Sequence, residues 1–358
     1  MTGAVPGPVL VVGAGLLGTS IGLALSAQGT EVRLRDTQAE HVRTATGLGA
    51  GRPDETGVDP RLVVVAVPPA IVGDQVAALL AEFPSAVVTD VGSVKTGPWE
   101  HVAASTDPAA RARYVGSHPM AGSERSGPLA ASAALFEGRP WAVTAHPEAA
   151  SESVAVVRAL VDACGAVAVT MTPAEHDLAV ARTSHLPHLL AVLVAGRLVD
   201  ADPGQLVLSG QGLRDVTRIA ASDPGLWRQI VGANAGSIDS VLRELRTDLD
   251  RMLEAIGAGD LDTVTGLLQR GVRGTQAIPG KHGEPDAPTY PVYVSVPDHP
   301  GELARLFADA GEIGVNVEDV HIDHDPGRPV GLVQLVVADE HAVALVEGLR
   351  ERGWTARG

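Results

Sequence analysis

The stretch Gly13-Ala14-Gly15-Leu16-Leu17-Gly18 decides the fold, because it lies where an apolar run turns into a helical pattern. Residues 8–13 are short and apolar, as a buried parallel strand is, and residues 19–25 are typical of a helix. In such a turn Gly13 permits the tight bend, Gly15 lets a pyrophosphate approach the backbone, and Gly18 lets the helix pack on the strand. The motif therefore predicts a dinucleotide site at the N-terminus of the first helix.

An acidic residue in the second strand indicates which dinucleotide is bound. Residues 31–36 read as that strand and end in Asp36, whose carboxylate would accept hydrogen bonds from the adenosine ribose and repel a 2′-phosphate. This favours NAD over NADP, although Arg35 weakens the preference because an arginine can bind that phosphate. Strand, helix and acid together make a glycine-rich turn of some other α/β protein the weaker interpretation. We expect the cofactor site to comprise Gly13, Gly15, Leu16, Leu17, Gly18, Asp36, Val67 and Pro68.

Length, charge and cysteine content exclude several classes of protein. The 358 residues are too many for one core and suit two or three domains. A net charge of −16 makes nucleic acid and anionic membrane poor partners. Cys164 is the sole cysteine, so neither a disulfide framework nor a thiolate metal cluster is expected. The glycines between Val5 and Leu25 fit a nucleotide turn better than a signal peptide, and we expect no membrane span and a cytoplasmic location.

The pattern of elements changes along the chain. Alternating strands and helices predict an α/β domain with a doubly wound, Rossmann-type sheet, and a helical pattern follows it. A segment rich in proline and glycine then reads as a linker, and the last stretch reads β-α-β-β-α-β, the ferredoxin-like order. The predicted divisions are residues 1–165 (nucleotide binding), 166–275 (helical, for dimerisation and substrate), 276–289 (linker) and 290–358 (ferredoxin-like).

Three polar residues follow predicted strands, at the sheet edge where ligands of α/β proteins bind. Ser93 could bind a substrate hydroxyl, but taken alone it more simply caps the next helix. Lys95 could steer an anionic substrate, but an exposed lysine is the commoner case. His118 is suited to take a hydroxyl proton while a hydride leaves the same carbon, and a purely structural histidine is the alternative.

The helical region adds further candidates. His185 and His188 are three residues apart, but no third ligand at metal spacing accompanies them, so a metal site is not expected. Arg218 could bind a carboxylate through both arms of its guanidinium. Trp227 taken alone favours a core position.

Taken together, these motifs resemble the prephenate/arogenate dehydrogenase family of tyrosine biosynthesis. The segments that carry the resemblance are G-A-G-L-L-G-T-S at 13–20, D-V-G-S-V-K at 90–95, H-P-M-A-G-S-E at 118–124, S-H-L-P-H at 184–188, R-D-V-T-R at 214–218 and S-D-P-x-x-W at 222–227. Residues 290–358 resemble an ACT domain, with Asp298, Pro300 and Gly301 at its first turn and Asn316 before its second strand.

The resemblance implies NAD-dependent oxidative decarboxylation of prephenate, or of arogenate as the alternative. His118 would take the hydroxyl proton, Ser93 would orient His118 and the hydroxyl, and Arg218 would neutralise a substrate carboxylate. The other substrate-binding candidates implied are His185, His188, Lys95 and Trp227. The ACT-like unit suggests tyrosine as an effector bound between paired ACT domains through Asp298, Pro300, Gly301 and Asn316, and a dimerisation module that has lost its ligand is the alternative. We expect a homodimer, formed through the apolar helices and through this unit.

Two other functions are weighed against this one. A β-hydroxyacid dehydrogenase with a helical C-terminal domain would be expected to use a lysine in its helical region, and none lies between Lys95 and Lys281. A non-catalytic sensor of NAD and an amino acid would explain the first and last domains. It would not explain why His118, Ser93 and Arg218 occur together.

Overall fold

The computed structural model describes residues 5–55, 57–121, 127–278, 289–324 and 330–358. Residues 122–124 of one family motif, and residues 279–288 of the predicted linker with Lys281, lie outside these ranges. The chain divides into two compact units, Met1–Leu253 and Glu254–Gly358, and each is described by itself.

A five-stranded parallel sheet forms the centre of the first unit, in the order β3-β2-β1-β4-β5. Val11 of the central strand pairs with Leu34 on one side and with Val64 on the other. The apolar runs that predict these strands are buried because both faces of the sheet are covered. The strands are β1 (Val9–Val12), β2 (Val32–Arg35), β3 (Arg52–Pro53), β4 (Leu62–Val65) and β5 (Val87–Asp90).

Helices pack on both faces of this sheet. Val9 and Val11 belong to one apolar cluster with Ile21 of the first helix, whereas Leu10 and Val12 belong to a second cluster on the opposite face. This alternation is that of a doubly wound sheet. The helices of this part are α1 (Leu16–Ala27), α2 (Ala39–Gly47), α3 (Val72–Glu82), α4 (Thr96–Ser105), α5 (Pro108–Arg111) and α6 (Ser151–Ala163).

Three further strands extend the nucleotide-binding part: β6 (Gly116–Pro119), β7 (Pro140–Thr144) and β8 (Val167–Met171). A parallel bridge between Val88 and Tyr114 places the chain entering β6 beside β5, so the carboxyl end of β6 lies at the same edge as those of β4 and β5. The predicted boundary at residue 165 is too early. The strand β8 pairs with β7 along its whole length and therefore belongs to the first domain.

The rest of the first unit is helical. Thr172 opens it with a capping box: its hydroxyl accepts from the Glu175 amide, and the Glu175 carboxylate accepts from the Thr172 amide. A π-helical turn, Ala181–His185, joins the first two helices just before Pro187, which has no N–H to donate. The helices are α7 (Pro173–Val180), α8 (Leu186–Gly196), α9 (Pro203–Leu206), α10 (Gln211–Arg218), α11 (Pro224–Ala233) and α12 (Ala235–Ala258), the last of which runs into the second unit.

One apolar segment departs from the expectation that no membrane span is present. Within the described ranges, Pro173–Gly196 is long and apolar enough to cross a bilayer by length and composition. The same segment carries His176, Asp177, His185 and His188, all less than 6% exposed. A core helix of a soluble protein passes the same test, so the segment is weak evidence for a membrane.

The second unit contains α13 (Leu261–Gln276) and a four-stranded sheet in the order β10-β11-β9-β12, with antiparallel neighbours throughout. Its apolar core joins the buried residues of three strands to those of two helices, among them Val294, Leu306, Leu335 and Leu345. The predicted succession of strands and helices is found. The elements are β9 (Thr289–Pro297), α14 (Glu302–Ile313), β10 (Asp319–His324), β11 (Val330–Ala338), α15 (Asp339–Glu351) and β12 (Thr355–Arg357).

Candidate active site

The glycine-rich turn after β1 has the shape that a dinucleotide needs. Gly13 adopts φ +102°, and a side chain there would overlap the Ala66 carbonyl oxygen. A side chain at Gly18 would overlap the Gly13 carbonyl oxygen, so the helix packs directly on the turn. Gly15 is different, because a Cβ there would meet no atom within 4 Å. The open space at Gly15 lies at the N-terminus of α1, where Leu16 and Leu17 form the first turn and backbone N–H groups favour a phosphate.

Asp36 lies beside this turn, as predicted. Its carboxylate accepts from the Ala14 amide at 2.7 Å and from the Gln38 amide at 2.8 Å, so it is fixed next to the glycine motif. Arg35 is held elsewhere: its guanidinium pairs with Asp54 at 2.7 Å and with Glu82 at 2.8 Å. Because two carboxylates occupy Arg35, the arrangement favours a ribose with free hydroxyls over one with a 2′-phosphate. These residues fit NAD.

Val67 and Pro68 complete this edge of the sheet. They follow β4 directly, and both are at least partly exposed. The main chain at Ala66 and Val67 packs against Gly13, so the exit of β4 lies next to the glycine turn. Helix α11 packs against the short turn Pro69–Ile71, which brings the helical region to the same edge.

His118 lies at the carboxyl end of β6 and is joined to two residues of α7 by a chain of hydrogen bonds. Its Nδ1 lies 2.9 Å from His176 Nε2, and His176 Nδ1 lies 2.8 Å from Asp177 Oδ1. His118 is partly exposed, whereas His176 and Asp177 are 1% and 3% exposed. Burial lowers the pKa of His118 well below its usual value, and His176, Lys95 and His185 lower it further while Asp177 opposes them. His118 is therefore neutral near pH 7 and able to accept a proton.

The Asp177 carboxylate accepts three hydrogen bonds. Besides His176, it accepts from the backbone amides of Lys95 and Thr96, both at 2.8 Å, at the start of α4. Burial raises the pKa of Asp177, but the hydrogen bonds from His176, Thr96 and Lys95 outweigh it and hold the pKa below its usual value. Asp177 thus stays ionised and ties α7 to the loop that follows β5.

Lys95 is not exposed to solvent, as most lysines are, and its contact with substrate stays a prediction. Its side chain is 1% exposed, and its ammonium donates to Asp90, which is 0% exposed, and to the Ser117 carbonyl at 2.8 Å. Burial lowers the pKa of Lys95, and the neighbouring Asp90 opposes the change. Lys95 therefore fastens the loop after β5 to the residue that precedes His118.

Ser93 lies in that loop and is partly buried. Both ends of the loop are fixed, because Asp90 accepts from the Gly92 amide at 2.9 Å and Lys95 is held in the interior. The anchored loop lies beside the strand that carries His118. Within the described residues no hydrogen bond joins Ser93 to His118, and a role for Ser93 beside His118 stays a prediction.

The predicted residues of the helical region form a second cluster. His188 stacks on Trp227 with ring centroids 3.4 Å apart and planes 4° apart, and His185 meets Trp227 edge-on. Burial lowers the pKa of His185 and that of His188. Asn234 links the clusters, since its side-chain nitrogen lies 2.8 Å from the Asp177 carbonyl and 3.3 Å from His185 Nδ1.

Arg218 stands apart from these clusters. It is exposed at the last residue of α10, a helix that packs on α8, and in the described ranges no ion pair holds its guanidinium. Nor do those ranges contain a group of three residues suited to a metal ion.

Sequence reasoning missed His176, Asp177 and Asn234. The residues Thr172–Glu175 have the sequence pattern of a helix start, and they begin α7 in the structure. An adjacent His-Asp pair in the first turns of a helix just after a strand was the available signal. Its contact with His118, 58 residues earlier, could not be inferred from spacing.

Comparison with known proteins identifies the family. Residues 21–170 match the nucleotide-binding domain model of prephenate dehydrogenase, and residues 172–270 match its dimerization domain model. A probable prephenate dehydrogenase of Streptomyces niveus is 37% identical over 97% of this chain and 98% of its own length. The chain belongs to the prephenate dehydrogenase family. The family resemblance and the oxidoreductase class predicted from the sequence are thus confirmed.

Other members of the family support the assignment. Prephenate dehydrogenase of Bacillus subtilis is 28% identical over 88% of this chain and 87% of its own length. The crystal structure of the Aquifex aeolicus enzyme with hydroxyphenyl propionate and NAD⁺ superposes with a TM-score of 0.67, at 26% identity, over 75% of this chain and 98% of that one. Arogenate dehydrogenase of Synechocystis gives a TM-score of 0.66 at 25% identity, over 75% of this chain and 99% of that one.

Proposed function

We propose that this chain oxidises and decarboxylates prephenate with NAD, and that His118 is the general base. The observation that carries the proposal is the position of His118. It is a neutral imidazole at the edge that also holds the glycine turn, with Nδ1 bound inside the protein. Among the described residues no hydrogen bond occupies its Nε2, which we propose accepts from the substrate. Such a group takes a hydroxyl proton as the carbon beneath it loses a hydride.

The bond changes of the reaction define what the protein must do. NAD, when bound, accepts the hydride from the ring carbon that carries the hydroxyl. His118 takes the hydroxyl proton as the hydride leaves, and the ring carbon gains a double bond to that oxygen. The bond between the ring and its carboxylate breaks, carbon dioxide leaves, and the electron pair makes the ring aromatic with a phenolate oxygen, which takes the proton back from His118. The protein must also orient the substrate hydroxyl, for which Ser93 is the candidate. It must further neutralise the negative charge of the substrate.

Arg218 is the proposed partner of a substrate carboxylate. In a chain of net charge −16 a dianion needs a local cation, and Lys95 is already neutralised by Asp90. The exposed guanidinium of Arg218 has the bidentate geometry that a carboxylate prefers. His185, His188 and Trp227 are proposed to line the same pocket from the helical side.

Replacing Arg218 with alanine is expected to raise the KM for the substrate about 10- to 100-fold, the worth of a hydrogen-bonded charge pair, with little change in kcat. Initial rates of NADH formation measure both constants. The variant R228A, at another exposed arginine on α11, is the control. An unchanged KM in R218A would remove Arg218 from the substrate site.

Arogenate is the second candidate substrate, supported by the similarity to the Synechocystis arogenate dehydrogenase. It differs from prephenate by an amino group in place of a keto group on the side chain. The chemistry required of His118 is the same for both, so the choice depends on contacts to the side chain.

We also propose that the chain forms a homodimer through its helical region. The match to a dimerization domain supports this, as do large apolar side chains left exposed there. Leu193, Val199, Val207 and Leu208 are 62%, 82%, 83% and 86% exposed. Large apolar side chains left exposed in one region are typical of a protein interface. It accounts for the apolar character of Pro173–Gly196 without a membrane, and a cytoplasmic location stays our prediction.

The C-terminal unit is proposed to be a ferredoxin-like, ACT-type regulatory domain. Its sheet order β10-β11-β9-β12 is that of strands 2-3-1-4 of the unit, which supports the assignment. Asp298, Pro300 and Gly301 lie at the turn from β9 to α14, where Gly301 adopts φ +95°. Asn316 is exposed after α14 and donates to Glu318 at 2.7 Å. We propose tyrosine as the effector bound at this turn.

An assay with paired substrates tests these proposals together. NADH formation is measured with prephenate and with arogenate, each with and without tyrosine, and with NADP in place of NAD. We expect turnover of prephenate with NAD and its inhibition by tyrosine. Faster turnover of arogenate would assign the second candidate, and tight NAD binding without turnover of either would indicate a sensor. Sedimentation of the same preparation as a monomer at micromolar concentration would contradict the dimer.

A further inference from the structure

We propose that His176 and Asp177 are positioning residues that hold His118 as its Nδ1–H tautomer, with the Nε2 lone pair presented to the substrate hydroxyl. The inference rests on the proposed function of His118 and extends it to two residues that touch neither substrate nor cofactor.

The Asp177 carboxylate determines which atoms donate in the two hydrogen bonds that join His118, His176 and Asp177. An ionised Asp177 can only accept, so His176 Nδ1 carries the hydrogen of their 2.8 Å contact. In a neutral His176 the other nitrogen, Nε2, is then an acceptor. The 2.9 Å contact with His118 Nδ1 therefore requires His118 to donate from Nδ1, which leaves Nε2 unprotonated.

Asp177 is held by contacts to α4, to His176 and to Asn234, so the donors and acceptors of the hydrogen bonds from Asp177 to His118 cannot easily exchange roles. Its two carboxylate oxygens accept from the amides of Lys95 and Thr96 as well as from His176. Its main-chain carbonyl accepts from the Asn234 side chain at 2.8 Å. Both His176 and Asp177 are buried, which removes water as a competing partner.

The arrangement also stabilises the product of proton transfer. When His118 has taken a proton at Nε2, its Nδ1–H still donates to His176, and the negative charge of Asp177 lies one ring away. The groups whose charges act on His118 are His176 and Asp177 of α7, His185 of the π-helical turn and Lys95 before α4, and only Asp177 raises its pKa.

Asp177→Asn tests the inference, because the amide nitrogen can donate to His176 Nδ1 and so reverse both hydrogen bonds. His118 would then carry its hydrogen mainly on Nε2, and only the minor tautomer, with hydrogen on Nδ1, could act as a base. We expect kcat to fall about 100- to 1000-fold, with KM and NAD affinity changed less than about threefold. The residual kcat should begin to fall at a lower pH than in wild type as the pH is lowered. The reason is that His118 must be deprotonated to act, and Asp177, whose charge raises the pKa of His118, has been removed.

Controls separate this effect from a loss of structure. D162N changes an exposed aspartate of α6 and should match wild type. Because D177N also loses an acceptor for the amides of α4, its melting temperature is measured alongside. A kcat within threefold of wild type, or a uniform fall in rate with the acid limb unmoved, would overturn the inference.

A spectroscopic test needs neither turnover nor a variant that keeps its activity. Wild-type enzyme with ¹⁵N-labelled histidine is examined above the pKa of His118, and the signals are assigned by their loss in H118N and H176N. We expect hydrogen on Nδ1 of both rings, and hydrogen on Nε2 of His118 would refute the proposed tautomer. If wild type turned over neither substrate, the proposed function would fail while this measurement still decided the tautomer.

Discussion

His118→Asn is expected to lower kcat about 10²- to 10⁴-fold, the usual contribution of a general base, while KM for the substrate changes little. Asparagine can keep a hydrogen bond to His176 from its side-chain amide, but it offers no basic nitrogen to the substrate hydroxyl. The loss should therefore appear in the chemical step rather than in binding. Initial rates of NADH formation at saturating NAD measure kcat and KM.

The matched control is H101N, since His101 has a side chain that is 46% exposed and pairs at the surface with Asp74. NAD binding by H118N, followed by calorimetry, should equal that of wild type, because the proposed cofactor residues lie just after β1, β2 and β4 and in the first turn of α1. If H118N kept most of its kcat, the assignment of the base would be wrong.

Lys95→Met is expected to lower the free energy of unfolding of the first unit by about 3–5 kcal/mol, the cost of leaving one member of a buried ion pair unpaired. Within the described residues, the Asp90 carboxylate would keep only the hydrogen bonds from Tyr114 at 2.8 Å and from the Gly92 amide. A urea titration followed by tryptophan fluorescence measures the change, since Trp99, Trp141 and Trp227 all lie in that unit.

The double variant D90N/K95M is the control, because it removes both charges and leaves a side-chain amide that can still pair with Tyr114. It should recover at least half of the stability lost in K95M. A loss below about 1 kcal/mol in K95M would mean that the pair contributes no more than an exposed one.

The parts of the fold that could be predicted are those encoded within short stretches of chain. The turn at Gly13, Gly15 and Gly18 is dictated by backbone contacts to its own neighbours, and Asp36 follows one helix and one strand later. The apolar strands are continuous because both faces of their sheet are buried. The strand β8 lies beyond the predicted boundary at residue 165, because what joins it to the first domain is its pairing with β7, which no local pattern encodes.

The parts of the site that could not be predicted depend on contacts between distant segments. Lys95 has no local signal of burial, because its partners include the main chain of Ser117, 22 residues later. His176 and Asp177 look like the beginning of a helix, and they meet His118 only once β6 and α7 are side by side. His118, His185, His188 and Trp227 could be selected from their motifs, but the pairing of His188 with Trp227 and of His118 with His176 needed coordinates.

The π-helical turn Ala181–His185 changes the direction, around the helix axis, in which the side chains of α8 point. In an uninterrupted α-helix His176 and His188 would point about 120° apart, since each residue advances the helix by about 100°. A π-type turn absorbs one extra residue and so reduces the difference to about 20°. Because of this one π-type turn between α7 and α8, His176, which contacts His118 of β6, and His188, which stacks on Trp227, lie on the same face of the continuous helix.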